Sequence, residues 1–403
     1  MNPTKARLVY CDPSLKSYFG HWGSHCSAIV DGFEKLGVAT YVLASSQIED
    51  AVLEAFRAFK VFSTSSYAYT PNDSIDVLEK SYQDISHILC QDLLKVQWIT
   101  KNDRVYFESA SPAALKSILL YIEAKGESSP KVIVNLIEKT GVCYLEDENR
   151  IKKLVSVNAN PLLWRKTGES ISAAIVDRIR FVSIEPIFAK LYSELLQHQV
   201  HLIPHPFPVV ANNSLRKNFT IGFLGSQNQA KGFHIVPAIV EKLLKKNLPI
   251  SIYVHDSFFY MSKEIGYLQQ LAKENPCLTM DASRKNSQQW MKAIQQCDVI
   301  VAPYIPEEYA TSSSGIACEA LAHGVPLIAT ANTTLARQLE EFNLVELVVQ
   351  NYSEDSFVEK IIDAYANIDS LRNKAAVAQA EWAKCNGPTQ NAQALIEIFE
   401  SMV

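Results

Sequence analysis

The sequence predicts an α/β protein built as two Rossmann-like parallel-sheet domains, and three observations carry that expectation. Near the N-terminus an apolar run at 8–11, a glycine loop at 20–25, helical spacing over 26–36 and a second apolar run at 38–44 follow one another. The same order returns later, with an apolar run at 219–224, a loop at 225–232 bounded by Gly225 and Gly232, and helical spacing over 233–245. Alternation of strand and helix makes a parallel sheet in each half. Thirdly, 403 residues suffice for two cores, and Pro204, Pro206 and Pro208 lead into a polar hinge at 211–218. The expected division is 1–210, 211–385 and a last helix within 386–403.

Taken in order, the first domain continues through a mixed, mostly helical stretch at 45–100 and a strand at 104–107. A helix at 113–121 follows, for which Ser111 is the cap and Pro112 fits the first helical position. Strands at 131–137 and 181–184, a helix at 186–197 and a run at 200–207 complete the domain. In the second domain, strands are expected at 250–254, 278–280, 298–302, 327–329 and 345–349. Helical spacing marks 260–273, 288–296, 316–323, 335–342, 356–367, 370–382 and 390–402. Trp290 and Ile294 fall on one apolar side of their helix and read as core.

Composition narrows the function classes. Hydrophobic residues make up 48% and charged residues 20%, an ordinary balance for a folded soluble protein. A net charge of −5 argues against a general nucleic-acid binder. No apolar run reaches the roughly 18 residues of a transmembrane segment, and the first residues lack a signal-peptide core. The 8 cysteines are scattered without a C-x-x-C pair, which fits free thiols in a reducing cytoplasm better than a disulfide or zinc framework. Arg165, Lys166, Arg178 and Arg180 form a basic patch, read either as a solvated face or as a peripheral membrane or anionic-acceptor contact.

The most informative stretch is 312–329. Ser312, Ser313 and Ser314 precede Gly315, and Ile316 opens a short helix that Gly324 and Pro326 end. A helix N-terminus opened by serine and glycine offers N–H donors and a partial positive charge to an anion. Glu319, one turn inside, would repel phosphate and instead accept hydrogen bonds from hydroxyls beside it, such as those of a ribose. The pieces read as a nucleotide-diphosphate site. In the first domain, the loop with Gly20, His21, Gly23 and His25 follows a strand, where ligands gather in open α/β sheets. His21 and His25 read either as acceptor-side contacts and proton carriers or as loop and cap residues.

These residues resemble the donor-site block of retaining GT-B glycosyltransferases, especially glycosyltransferase family 4. The resemblance implies two Rossmann-like domains facing across a cleft, with a last helix crossing back to the first domain. It implies transfer of a sugar from a nucleoside-diphosphate sugar to an acceptor hydroxyl of a glycan, lipid-linked or protein acceptor, with no cofactor beyond that donor. Glu319 matches the ribose-binding glutamate of the family, and Lys231 its diphosphate-binding lysine, followed as usual by Gly232. Gly225, Ser226, Thr311, Ser313, Ser314, Gly315 and Ile316 are the other expected donor contacts, and Arg284 would rim the base. Three positions depart from the pattern. Thr311 stands at the first glutamate, Ser226 and Gln227 near the usual arginine, and Asn135, Glu138 and Lys139 near the usual first-domain histidine. Glu138 and His21 are the candidate proton acceptors. The segment Glu146, Asp147, Glu148 lacks D-x-D spacing and predicts no metal. Besides a glycosyltransferase of glycan or polysaccharide biosynthesis, the departures admit an inactive nucleotide-sugar-binding or scaffolding protein; an epimerase is a third reading.

Overall fold

The computed structural model describes residues 6–18, 21–68, 74–137, 140–146, 152–156, 158–210 and 218–402. The chain divides into two compact units, Met1–Pro206 with Asn386–Val403, and Phe207–Cys385. The expected hinge residues 211–217 lie outside the described residues.

The first unit contains β1 (Leu8–Asp12), β2 (Thr40–Ser45), β3 (Ala58–Phe62), β4 (Arg104–Phe107), β5 (Lys131–Asn135), β6 (Val142–Glu146), β7 (Lys152–Ser156), β8 (Ile179–Ser183) and β9 (Val200–Leu202). Seven of them form one parallel sheet in the order β3-β2-β1-β4-β5-β8-β9. Successive residues of each strand point to opposite faces, and the sheet is covered on both. Val9, Leu43, Phe107 and Val134 enter one apolar cluster, and Tyr10, Val42, Tyr106 and Ile133 enter the other. The second cluster includes Leu395 and Phe399 of the helix Pro388–Ser401. That helix crosses the helix His21–Lys35 so closely that a Cβ on Gly32 would lie 2.1 Å from the Pro388 carbonyl oxygen. Ser111 caps its helix as expected, its side chain accepting from the Ala114 N–H at 3.2 Å.

Two elements of this unit depart from expectation. β3 lies in the stretch read as mostly helical; it is an edge strand with exposed Phe59 and Lys60, so it lacks a buried-strand pattern. β6 and β7, which the sequence reading did not mark as strands, form an antiparallel hairpin outside the main sheet, with Glu146 opposite Lys152 in register.

The second unit contains β10 (Phe219–Phe223), β11 (Ile250–His255), β12 (Leu278–Asp281), β13 (Val299–Ala302), β14 (Leu327–Thr330) and β15 (Val348–Val349). All are parallel, in the order β12-β11-β10-β13-β14-β15, around one continuous apolar core. This is the doubly wound order, with the first strand at the centre. Asp298, fully buried before β13, accepts from the Thr220 N–H at 2.7 Å and from Arg372 at 2.5 Å, which ties β13 to β10. The helix Gly315–His323 ends as expected on Gly324 in the left-handed region, at φ 61°.

Candidate functional site

The winding of the second sheet reverses at β10. The chain proceeds from it to β11 and β12 on one side and returns to β13 on the other, so a crevice opens at the carboxyl ends of β10 and β13. The loop after β10 is shaped by Gly225 at φ 115° and Gly232 at φ 68°. Asn228 Oδ1 accepts from the Lys231 N–H at 3.0 Å, which folds the loop on itself. The Ile305 N–H donates to the Ala230 carbonyl at 3.0 Å, which binds this loop to the segment after β13. Lys231 Nζ would lie 3.5 Å from a Cβ on Gly225 and stands 5.7 Å from the Tyr304 ring centre. The ammonium therefore sits over the loop, beside the segment that leads to Gly315.

Pro306–Tyr309 is a short helix, Ser312 Oγ donates to the Glu308 carbonyl at 2.7 Å, and Thr334 Oγ1 donates to the Ser312 carbonyl. Thr311 is buried, whereas Ser313 and Gly315 are partly exposed. Ser314 is the N-cap of Gly315–His323, yet, although serine is a favoured cap, it makes no side-chain capping bond. Its extended backbone, with φ −137° and ψ 111°, starts the helix without it. The first-turn N–H groups of Gly315 and Ile316 thus receive nothing from the cap side chain, a setting suited to an external anion.

Half-buried Glu319 lies one turn further along. Its Oε1 accepts from the Trp290 indole N–H at 2.9 Å. Trp290 was expected in the core; instead it is half-buried and its polar edge faces this carboxylate. Its ring meets the His255 ring at 5.4 Å and 62°, and His255 Nε2 lies 3.0 Å from the Ser283 carbonyl oxygen. Gln227 donates from its side chain to the His255 carbonyl at 3.1 Å and from its backbone to Asp256 Oδ1 at 3.2 Å. The loops after β10, β11 and β12 are thus joined by hydrogen bonds, and the His255–Trp290 ring contact connects them to the helix Gly315–His323. Asp281 anchors the β12 loop. Burial works to raise its pKa, but bonds from Lys285, Ser283 and Tyr253 outweigh that and hold it well below the usual carboxylate range. Arg284 is exposed in the same loop.

In the first unit, Gly20 and Glu138 lie outside the described residues, and so does the side chain of His21. Gly23 and His25 are not in a loop: the helix begins at His21. A Cβ on Gly23 would come within 2.6 Å of the Tyr18 backbone, so the first turn packs directly on the segment before it. His25 is buried, and its Nδ1 lies 3.3 Å from Glu108 Oε1. Glu108, just beyond β4, receives Ser109 Oγ at 3.1 Å and Asn135 Nδ2 at 3.0 Å on that same oxygen. Burial acts to raise the Glu108 pKa, but the bonds from His25 and Ser109 leave it below the ordinary value. Ser109 holds φ 48°, and the Tyr67 hydroxyl donates to its carbonyl at 2.8 Å. Sequence reasoning passed over Glu108; its signal is a carboxylate directly after the strand adjoining β1, at the switch point of this sheet. Of the basic patch, Arg165 and Lys166 are exposed. Lys166 pairs with Glu79 at 2.8 Å, and Arg180 donates to the Val176 and Ile179 carbonyls at 2.7 and 2.8 Å. Among the described residues, no helix is long and apolar enough to cross a membrane.

Residues 218–367 match the family model described as glycosyl transferases group 1. No curated protein matches the chain. Solved structures similar over nearly the whole chain include a glycosyltransferase of Rickettsia africae (12% identity, TM-score 0.65, 99% of each chain). Another is a trehalose-6-phosphate protein of E. coli bound with UDP-2-fluoro glucose (11%, 0.64, 99% of this chain and 100% of that one). A third is HepE of Anabaena in complex with UDP-glucose (12%, 0.61, 98% and 99%). The resemblance drawn from the motif around Gly315 and Glu319 agrees with these findings: the chain has the GT-B fold, and its residues 218–367 are similar to glycosyl transferases group 1.

Proposed function

We propose that the protein transfers a sugar from a nucleoside-diphosphate sugar to an acceptor hydroxyl, with retention at the anomeric carbon, in cytoplasmic glycan or polysaccharide assembly. The observation that carries this reading is the junction of two loops at the switch point of the second sheet. The Ile305–Ala230 bond joins the Lys231 loop to the segment ending in the uncapped first turn at Gly315. The diphosphate lies on the N–H groups of Gly315 and Ile316, and the Lys231 ammonium supplies charge as the diphosphate leaves. Glu319 takes a ribose hydroxyl, and Arg284 rims the base. The acceptor proton passes to the leaving phosphate, so the reaction needs no metal, no further cofactor and no strong protein base. The nucleotide-sugar ligands in the two similar structures support the donor class.

A second reading, a nucleotide-sugar-binding or scaffolding protein without turnover, has its own support. The Gln227 amide is spent on the His255 carbonyl, so it does not replace the missing arginine, and Thr311 is buried where a glutamate was expected. A thermal-shift screen over nucleoside diphosphates and their sugars, followed by a turnover assay, decides between the two. Bound donors should raise the melting temperature by mass action. Binding with hydrolysis or transfer supports the enzyme, and binding without either supports the second reading. No shift with any nucleotide ends both.

A further inference from the structure

Glu319 is a half-buried carboxylate with three rotatable side-chain bonds on a nine-residue helix. Left alone, such a side chain samples several rotamers, and a ligand that needs one of them must order it on binding. The Trp290 indole removes that freedom. It is a donor only, so it bonds Glu319 Oε1 in one sense, at 2.9 Å, and cannot reverse roles. The ring itself packs edge-to-face with the His255 ring, at 5.4 Å between centres. His255 is buried, and because the Ser283 carbonyl is an acceptor, Nε2 carries the proton there. Burial lowers the His255 pKa, which keeps the imidazole neutral and its tautomer fixed. A chain of contacts thus runs from the β12 loop through His255 and Trp290 to the carboxylate.

We propose that Trp290 is the positioning residue that presents Glu319 to a ribose hydroxyl, so that discrimination between ribose and deoxyribose in the donor nucleotide depends on its indole N–H. This rests on the reading of Glu319 as the ribose contact. The indole never meets the nucleotide; it holds the carboxylate in the orientation that does.

The test uses calorimetric titration of the full chain with UDP, GDP, ADP and CDP, then with the 2′-deoxy and 3′-deoxy forms of each diphosphate that binds. The wild-type protein should bind one deoxy form about tenfold or more weakly, the cost of a hydrogen bond to a charged group. Trp290→Phe keeps a ring and removes the N–H. It should weaken the ribonucleotide about tenfold while leaving that deoxy form nearly unchanged, so discrimination collapses. Trp290→Met, which also lacks the donor, should repeat the result. Equal wild-type affinity for all three sugar forms overturns the ribose reading and this inference with it, as does failure of every diphosphate to bind. Wild-type discrimination that survives intact in a folded Trp290 variant overturns this inference alone. Should neither variant fold, the five indole N–H resonances of the 15N-labelled wild type decide. One must shift with the ribonucleotide and not with the deoxy form, and lose that response in Glu319→Ala; no such resonance overturns the proposal.

Discussion

A Cβ placed on Gly232 would lie 1.7 Å from the carbonyl oxygen of Pro303. The contact is between backbones, so no side chain can turn aside to relieve it. Gly232 also holds φ 68°, which L side chains rarely adopt. The closeness of these two residues is what lets the loop after β10 and the segment after β13 share the switch point. Gly232→Ala should therefore destabilise the second unit by about 3 kcal/mol and abolish nucleotide binding together with that packing. Denaturant titration checks the first effect; a wild-type midpoint would refute the close-approach argument.

Lys231 calls for the opposite signature. Its ammonium lies over Gly225 and beside the Tyr304 ring, contacts that add little to the stability of the fold. Lys231→Ala should leave the melting temperature of the free protein within about a degree or two, and weaken nucleoside diphosphate binding about 10- to 100-fold, as expected for a lost charge-assisted bond. Nucleosides without phosphate should bind both proteins alike. Equal loss for nucleoside and diphosphate would remove the lysine from the phosphate site.

Glu108 in the first unit is a buried carboxylate receiving His25, Ser109 and Asn135 on one oxygen. Glu108→Ala strands those groups and should cost about 3 kcal/mol or more, seen as a lower urea midpoint. Glu108→Gln retains an acceptor oxygen and should recover part of the loss. Alanine as stable as wild type would show that the cluster holds nothing together.

Each unit contains a buried imidazole that favours its neutral form. Burial, with His25 adding repulsion, pushes the His205 pKa down to about 3, and burial pushes His323 down to about 4. The unfolded chain, with histidine pKa near 6.5, binds protons that these folded sites refuse. Their contribution is intact above about pH 6.5 and is lost as the pH falls from there towards 4 and 3, by up to about 1.4 kcal/mol per unit for each. Unfolding at pH 7.5 and 5.5 isolates this from the carboxylates, which titrate lower. His323→Asn should flatten the dependence; stability independent of pH across that interval would contradict both assignments.

The order of strands and helices was legible in the sequence because it depends on local pattern. Buried parallel strands such as β1 and β10 read as apolar runs, Ser111 and Pro112 announce a helix start, and Gly324 announces an end. The stretch from Ser312 to Ala329 was also sufficient to suggest an anion site and a family. What remained hidden were edge elements and partners. β3 carries exposed residues and so lacks the buried run that marks a strand, and β6 and β7 pair with each other outside the parallel sheets.

The partners of the site were settled by the sheet order alone. Glu319 meets Trp290 across 29 positions and His25 meets Glu108 across 83, because strands adjacent in space are separated by whole helices in the chain. Spacing along the sequence cannot state which carboxylate an indole or an imidazole will find; that follows from which crossovers place their elements side by side. The amino-acid order thus determined two Rossmann-like sheets and a short helix that starts at Gly315. Tertiary packing decided that the serines leave that start uncapped, that Gln227 serves the frame, and that a tryptophan expected in the core faces the candidate ribose carboxylate.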